Sequence, residues 1–240
     1  MLDYHSLKQD ERKFVALTGI TPAEFQRLLP AFTRTYTRAF PSTTTQAGRP
    51  RQRRLGAGRK AVLLRPGDKL LFILVYQKAY PLQELLGSLF DLSQSRVNRW
   101  IHRLLPILVH ALDRLGFLPE RNPSHFSRHE RRQSEPATLI IDGTERRRQR
   151  PKNAEKQALH YSGKKKAHSD KNVVIVNAHS TRVSYLSSTY AGKTHDKKVA
   201  EAENIRYPRR STLYKDSGFQ GYAPGVQRTC QPKKSRGKGH

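Results

Sequence analysis

Thr138-Leu-Ile-Ile-Asp-Gly-Thr144 reads as a short buried strand, Thr138 to Ile141, that stops on an aspartate and a glycine. Leu213-Tyr-Lys-Asp-Ser-Gly-Phe219 repeats the pattern farther along, with a strand near Thr212 to Lys215 and Asp216 at its tip. Between them lie Lys171-Asn-Val-Val-Ile-Val-Asn177 and Arg182-Val-Ser-Tyr-Leu-Ser-Ser-Thr-Tyr190, two further strands turned by His179-Ser-Thr181. A short helix, Asp196 to Glu203, follows them.

Three strands, a helix and a strand, with carboxylates ending the first and fourth strands, is the order of a ribonuclease-H-like fold, in which those two strands are neighbours. Adjacent strands sit about 4.8 Å apart. Asp142 and Asp216 are therefore expected to share or flank Mg²⁺ (or Mn²⁺) in a two-metal site for phosphodiester displacement, which takes hard oxygen ligands. Asp-Gly and Asp-Ser-Gly also end strands as plain turn formers whatever the function; finding both after apolar strands in a basic chain favours the metal reading. Asp196 is a further acidic candidate, set behind the pair because an Asp at a helix start also serves as a cap.

The 240 residues suffice for two compact modules, and 35% hydrophobic content supports a modest core. Lys+Arg of 46 against Asp+Glu of 19 gives a net charge of +27, a field that attracts polyanions. That charge alone separates neither DNA from RNA nor enzyme from binder. An RNA-binding protein needs aromatics exposed on a sheet, and only scattered Tyr and Phe are visible. A single cysteine, Cys230, excludes an intrachain disulfide and a Cys-rich zinc site. The most apolar run, Leu70 to Tyr76, is far shorter than the ~20 residues that span a bilayer, so no membrane partner and a soluble, cytoplasmic protein are expected.

Ile20-Thr-Pro-Ala-Glu-Phe25 starts a helix, with Thr21 as N-cap, Pro22 at the first position and Glu24 closing a capping box; it should run to about Phe40. Residues 41–67, with Gly48-Arg-Pro-Arg-Gln-Arg-Arg54 and Gly56-Ala-Gly-Arg-Lys60, read as a charged linker, either solvated or lying along phosphates. Residues 68–118 begin with an apolar helix, Asp68 to Ala79. Leu82 to Phe90, a turn at Asp91-Leu92, and Ser93-Gln-Ser-Arg-Val-Asn-Arg-Trp-Ile-His-Arg-Leu-Leu105, continuing to Leu118, then make a helix-turn-helix. Leu85, Leu86 and Leu89 are expected to pack on Val97, Ile101 and Leu104, leaving Gln94, Ser95, Asn98, Arg99 and His102 outward, types that suit a major groove. An ordinary three-helix bundle with a polar face is the competing reading. Residues 119–136 read as a connector, and 137–240 as the second module.

At this point the chain resembles bacterial insertion-sequence transposases of the DDE superfamily endonuclease type, related to Harbinger-like elements. The resemblance covers nearly the whole chain, through Phe14-Val-Ala-Leu-Thr-Gly-Ile-Thr21, Gly56 to Lys60, Lys69 to Tyr76, Leu89-Phe-Asp-Leu-Ser-Gln-Ser95, Ile141-Asp-Gly-Thr-Glu145, Tyr161-Ser-Gly-Lys-Lys-Lys166, His195-Asp196 and Lys215-Asp-Ser-Gly-Phe-Gln-Gly221. It implies an α+β chain, an all-α helix-turn-helix module followed by a ribonuclease-H-like α/β domain. Asp142 and Asp216 would be the first two catalytic carboxylates, Asp196 with His195 the family's His-Asp element, and Lys164, Lys165, Lys166 and His168 would approach the cleaved strand. The implied partners are double-stranded DNA at transposon terminal repeats and at the target, and a second copy of the chain, in a bacterial cytoplasm at the nucleoid.

Two departures matter. Where the family usually has Gly in the helix-turn-helix turn, this chain has Asp91, which enters the left-handed region with little cost. After Asp216 there is no Asp or Glu, whereas in the family the stretch corresponding to Gln231-Pro-Lys-Lys-Ser-Arg-Gly-Lys-Gly-His240 leads into a helix carrying a third acid, a Glu. The resemblance thus implies an incomplete second domain, truncated before that Glu, with little or no strand cleavage by this polypeptide alone. The alternative is an inactive DNA-binding fragment or regulator of transposition.

Overall fold

The computed structural model describes residues 2–45, 48–52, 62–131 and 137–232. The basic run Arg53 to Lys60 and the segment Lys233 to His240, both singled out in the sequence, lie outside the described residues. The chain divides between Phe117 and Leu118 into two units.

The first unit is helical: α1 (Tyr4–Leu7), α2 (Glu11–Thr18), α3 (Pro22–Ala39), α4 (Pro66–Ala79), α5 (Gln83–Phe90) and α6 (Gln94–Arg114). Thr21 and Glu24 form the expected reciprocal capping box on α3. α4 is the hub, because Leu70, Leu71, Phe72 and Ile73 are all fully buried and a helix apolar all round must be packed all round. Tyr4 stacks on Phe25 at 4.6 Å, and Phe14 meets Phe25 edge-on at 5.3 Å, which locks α1 and α2 onto α3. α1 and α2 fall within residues 1–40, which the sequence suggests as an amino-terminal helical segment without marking separate helices before α3. In the stretch expected to be a linker, Arg51 is tied back to Thr43 and Thr44: its N donates to Thr43 O at 2.9 Å and its Nε to Thr44 O at 2.7 Å.

The turn between α5 and α6 is built as the sequence requires. Asp91 adopts the left-handed region at φ 53°, and a Cβ on Gly87 would stand 2.3 Å from Leu92 O, so only glycine lets the chain double back there. The expected packing is corrected in one respect. Leu86 and Phe90 are buried in the same core as Val97, Ile101 and Leu104, whereas Leu85 and Leu89 are 56% and 37% exposed, because α5 is rotated to bring Phe90 inward.

The second unit is mixed: α7 (Phe126–Arg131), β1 (Thr138–Arg147), α8 (Ala154–His160), β2 (Tyr161–Ser162), β3 (Ala167–Asn177), β4 (Val183–Leu186), β5 (Tyr190–Ala191), α9 (Asp196–Glu203), β6 (Thr212–Lys215), a 3₁₀ turn at Ser217–Phe219, and β7 (Arg228–Cys230). The sheet order is β2-β3-β1-β6-β7, with β4 and β5 also paired to β3. β1 is antiparallel to β3 and parallel to β6, and β6 is parallel to β7. Leu139, Ile141, Val173, Ile175 and Leu213 point into a core closed by Val199 and Ala200 of α9 and by Phe126. Residues 119–131 are thus not a free connector. Phe126 is fully buried, and Glu120 pairs with β4 through Glu120 N to Ser184 O at 2.9 Å.

β1 does not stop at Ile141. It runs to Arg147 because β3 extends back to Ala167 and supplies antiparallel partners, including Glu145 opposite Lys171. The strand expected over 182–190 is interrupted at 187–189, where the Ser187 hydroxyl binds Val173 N at 2.8 Å in place of the ladder.

Candidate functional site

Pairing of β1 with β6 ends at Ile141 opposite Lys215, so the next residue on each chain is Asp142 and Asp216. Side chains alternate across a sheet. Leu139 and Ile141 go to the core, and Ile140 and Asp142 to the exposed face. Asp142 is therefore mid-strand with respect to β3 but at the point where β6 leaves its side. Lys215, between Tyr214 and Asp216, turns its ammonium to Tyr222 O at 2.5 Å; burial, then the nearby Lys197, lower its pKa.

Asp142 Oδ1 accepts from Gly143 N at 2.7 Å, and Asp216 Oδ1 from Gly218 N at 2.9 Å, capping the 3₁₀ turn. Both carboxylates are exposed, and among the described residues neither has a Lys or Arg at ion-pair distance. In a chain of net charge +27 this leaves two anionic groups uncompensated by side chains. They open on a cleft of about 620 Å³ lined also by Ile140, Tyr214, Cys230 and Gln231. Hard carboxylate oxygens at adjacent positions suit a divalent cation. Among the described residues no group of three or more His, Cys, Asp or Glu is close enough to hold a metal ion.

Asp196, the first residue of α9, lies beside Asp216. A Cβ on Gly218 would fall 3.1 Å from Asp216 Oδ1 and 3.2 Å from Asp196 Oδ2, so both carboxylates border one glycine. Lys171 Nζ is 2.9 Å from Asp196 Oδ1 and 3.3 Å from Glu145 Oε1, and donates to Thr194 O at 2.8 Å. Asp196 Oδ1 is buried and its cation sits out of line for a hydrogen bond, so the attraction is coulombic. His195 is exposed and makes no side-chain cap for α9. Glu145 and Lys171 face each other only through the register of β1 with β3, a relation that no local motif carries. Burial raises the Glu145 pKa, but hydrogen bonds from Ser162 and Ser169 and the Lys171 ammonium outweigh it and hold the carboxyl below its usual range.

The far end of α9 is anchored separately. Glu203 is buried and accepts from the Tyr185 hydroxyl, from Tyr190 Oη at 2.8 Å and from Ser188 N at 3.1 Å. Burial, then the bond to this carboxylate, pushes Tyr190 up to about 12 and Tyr185 higher still.

On α6, Gln94, Ser95, Arg99 and His102 are exposed and Asn98 is half-buried. Gln94 Nε2 donates to Gln83 Oε1 at 2.7 Å, tying the start of α6 to α5. Lys164, Lys165 and Lys166 are exposed in the turn between β2 and β3, with Lys166 at φ 47°. No helix among the described residues is long and apolar enough to cross a membrane.

The family model described as helix-turn-helix of DDE superfamily endonuclease matches residues 63–114, and that described as DDE superfamily endonuclease matches residues 141–238. The chain is 22% identical over 228 residues, 95% of its own length and 73% of the relative's, to a protein of Microchaete diplosiphon named as a probable transposase for insertion sequence element IS702. No solved structure matches. DDE superfamily endonucleases generally use divalent metals. The first matched segment holds α5, its turn and α6, the second holds Asp142, Asp196 and Asp216, and the chain belongs to the DDE superfamily insertion-sequence transposases that carry an amino-terminal helix-turn-helix.

Proposed function

We propose that the protein binds double-stranded DNA at the ends of a mobile element and that Asp142 and Asp216 hold Mg²⁺ or Mn²⁺ there for the strand cleavage and joining of transposition. The observation that carries this is the register of β1 with β6, whose pairing ends at Ile141 opposite Lys215, one residue before Asp142 and Asp216, which line one cleft. The strand order supports a ribonuclease-H-like reading of residues 137–240. Held by Asp142 and Asp216, divalent ions would supply activation of the attacking oxygen and stabilisation of the leaving one.

The chain's own residues have three tasks. Gln94, Ser95, Asn98, Arg99 and His102 read base edges, with residues 68–118 as the DNA-binding module. Asp142 and Asp216 each keep one oxygen on a backbone N–H, which fixes the direction of the other. Lys171 holds Asp196 near Asp216, and His195 and Asp196 tune the field there. Lys164 to Lys166 contact phosphates. A second copy of the chain brings the other element end, at the nucleoid.

The net charge of +27 and the exposed Gln94, Ser95, Arg99 and His102 on α6 serve equally a second reading: a polypeptide that occupies element ends and regulates transposition with little or no cutting of its own. A nicking assay on terminal-repeat DNA with Mg²⁺ or Mn²⁺, with Asp142→Ala as control, separates them. Metal-dependent nicking abolished by the substitution supports the enzyme. Salt-sensitive binding without nicking supports the regulator, and absence of preferential end binding defeats both.

A further inference from the structure

We infer that the cleft between α8, β2 and β3 binds an unpaired nucleotide of a DNA strand, with Tyr161 as the stacking platform. The inference rests on the DNA reading above. The cleft, about 670 Å³, is lined by Arg150, Gln157, Ala158, Tyr161, His168 and Lys193. Three of these bear or can bear positive charge, and the turn that follows β2 adds Lys164 to Lys166.

The elements around the cleft contribute little to the core. α8 buries none of its side chains, and β2 has two residues. Tyr161 faces His168 across the ladder, rings 5.5 Å apart at 68°, yet stays 44% exposed. An aromatic ring oriented by a neighbour and left open to solvent in a cationic cleft has the parts of a nucleobase site, because every base presents a π-face. Gln157 Oε1 accepts from Arg150 Nε at 3.0 Å and Nη2 at 2.8 Å, which holds the guanidinium at the rim, where it can meet a phosphate.

Position along the sheet gives the site a use. Asp142 lies opposite Val174, and His168 is six residues away on β3. At about 3.3 Å per residue that is roughly 20 Å, or about six stacked nucleotide steps of about 3.4 Å. A strand whose phosphate lies at Asp142 and Asp216 therefore delivers a nearby unpaired base to Tyr161.

The test compares, by fluorescence anisotropy with the full chain, a blunt duplex with the same duplex carrying a single-stranded extension that contains 2-aminopurine. The extension is expected to improve affinity about tenfold through base–aromatic stacking, with the 2-aminopurine emission quenched on binding. Tyr161→Ala should lose both effects and Tyr161→Phe keep them. Ala158→Trp, which fills the cleft from an exposed position, should lose both even if Tyr161→Ala fails to fold. Equal affinity of the wild type for both duplexes, or an intact preference in Ala158→Trp, would overturn the inference while leaving the duplex-binding reading in place. Failure to bind either duplex would remove both.

Discussion

The carboxylate of Asp196 occupies the space that a side chain on Gly143 would need: a Cβ there would stand 2.5 Å from Asp196 Oδ1 and 2.7 Å from its Cγ. Neither distance is physically tolerable, so Gly143→Ala must displace Asp196 and pull it from Lys171. Overpacking combined with a disrupted, largely buried ion pair should cost about 2–3 kcal/mol in urea unfolding. In a double-mutant cycle with Asp196→Ala, the pair should couple by about 1 kcal/mol or more. Strictly additive costs would mean that the two residues do not compete for space.

If Asp142 and Asp216 hold the proposed ion, removal of either carboxylate should abolish ion binding without unfolding the protein. With Mn²⁺ at a hundred times its Kd, the wild type should gain about 2.7 kcal/mol of stability by mass action. Asp142→Asn and Asp216→Asn should each lose that gain, while their stability in EDTA stays within about 0.5 kcal/mol of wild type, as for exposed positions. Thermal unfolding with and without Mn²⁺ reads both quantities. An unaltered Mn²⁺ stabilisation in both variants would place the ion elsewhere.

How much of this could be read from the sequence depends on how local each determinant is. Thr21, Pro22 and Glu24 lie within four positions and specify a helix start by themselves. Asp142 and Asp216 were legible because each follows a short apolar run, and the run sets the face on which it emerges. Leu85 and Leu89 share the helical spacing of Leu86, but spacing does not fix which arc of α5 turns inward, and Phe90 decides that. The polar end of β1, Gly143 to Arg147, has no strand signal of its own; it is a strand because Ser169 to Val173 lie opposite. Glu145 and Lys171 stayed invisible for the same reason, since their relation exists only through a long-range register. α8 and β2 bury almost nothing and left no hydrophobic period to detect.

Acid should unfold the second unit partly through Glu145. Its folded pKa is depressed below the ordinary 4.5, so the unfolded chain binds its proton more tightly. The stability it contributes is fully present above the unfolded value and is lost as pH falls through the folded one. Urea midpoints measured from pH 6 to pH 3 should fall more steeply below about 4.5 for the wild type than for Glu145→Gln. Parallel curves would show that Glu145 titrates alike in both states.

Glu203 should matter for stability although it lies at the opposite end of α9 from Asp196. Glu203→Ala would leave the Tyr185 and Tyr190 hydroxyls and Ser188 N without their buried acceptor, at a cost of about 3 kcal/mol. Tyr190→Phe removes one donor and should cost about 1 kcal/mol. In Glu203→Gln the Tyr190 ionisation, now near 12, should move down toward 10, visible as an ultraviolet phenolate titration. A fixed titration would mean that burial alone raises it.

On the helix-turn-helix, fold and recognition should separate. Arg99 is exposed, its Nε reaching back to Ser95 O at 3.4 Å, and it supports no core contact. If it reads a guanine in the major groove, Arg99→Ala should cost about 1–3 kcal/mol on the specific site and much less on random duplex, with the fold unchanged. Gly87→Ala acts differently, since its Cβ would collide with Leu92 O at 2.3 Å and force the α5–α6 turn apart. That variant should lose both stability, by about 1–3 kcal/mol, and binding to every duplex. Circular dichroism melts paired with anisotropy titrations over a range of salt concentrations distinguish the two, and equal losses on specific and random DNA for Arg99→Ala would reassign Arg99 to phosphate contact.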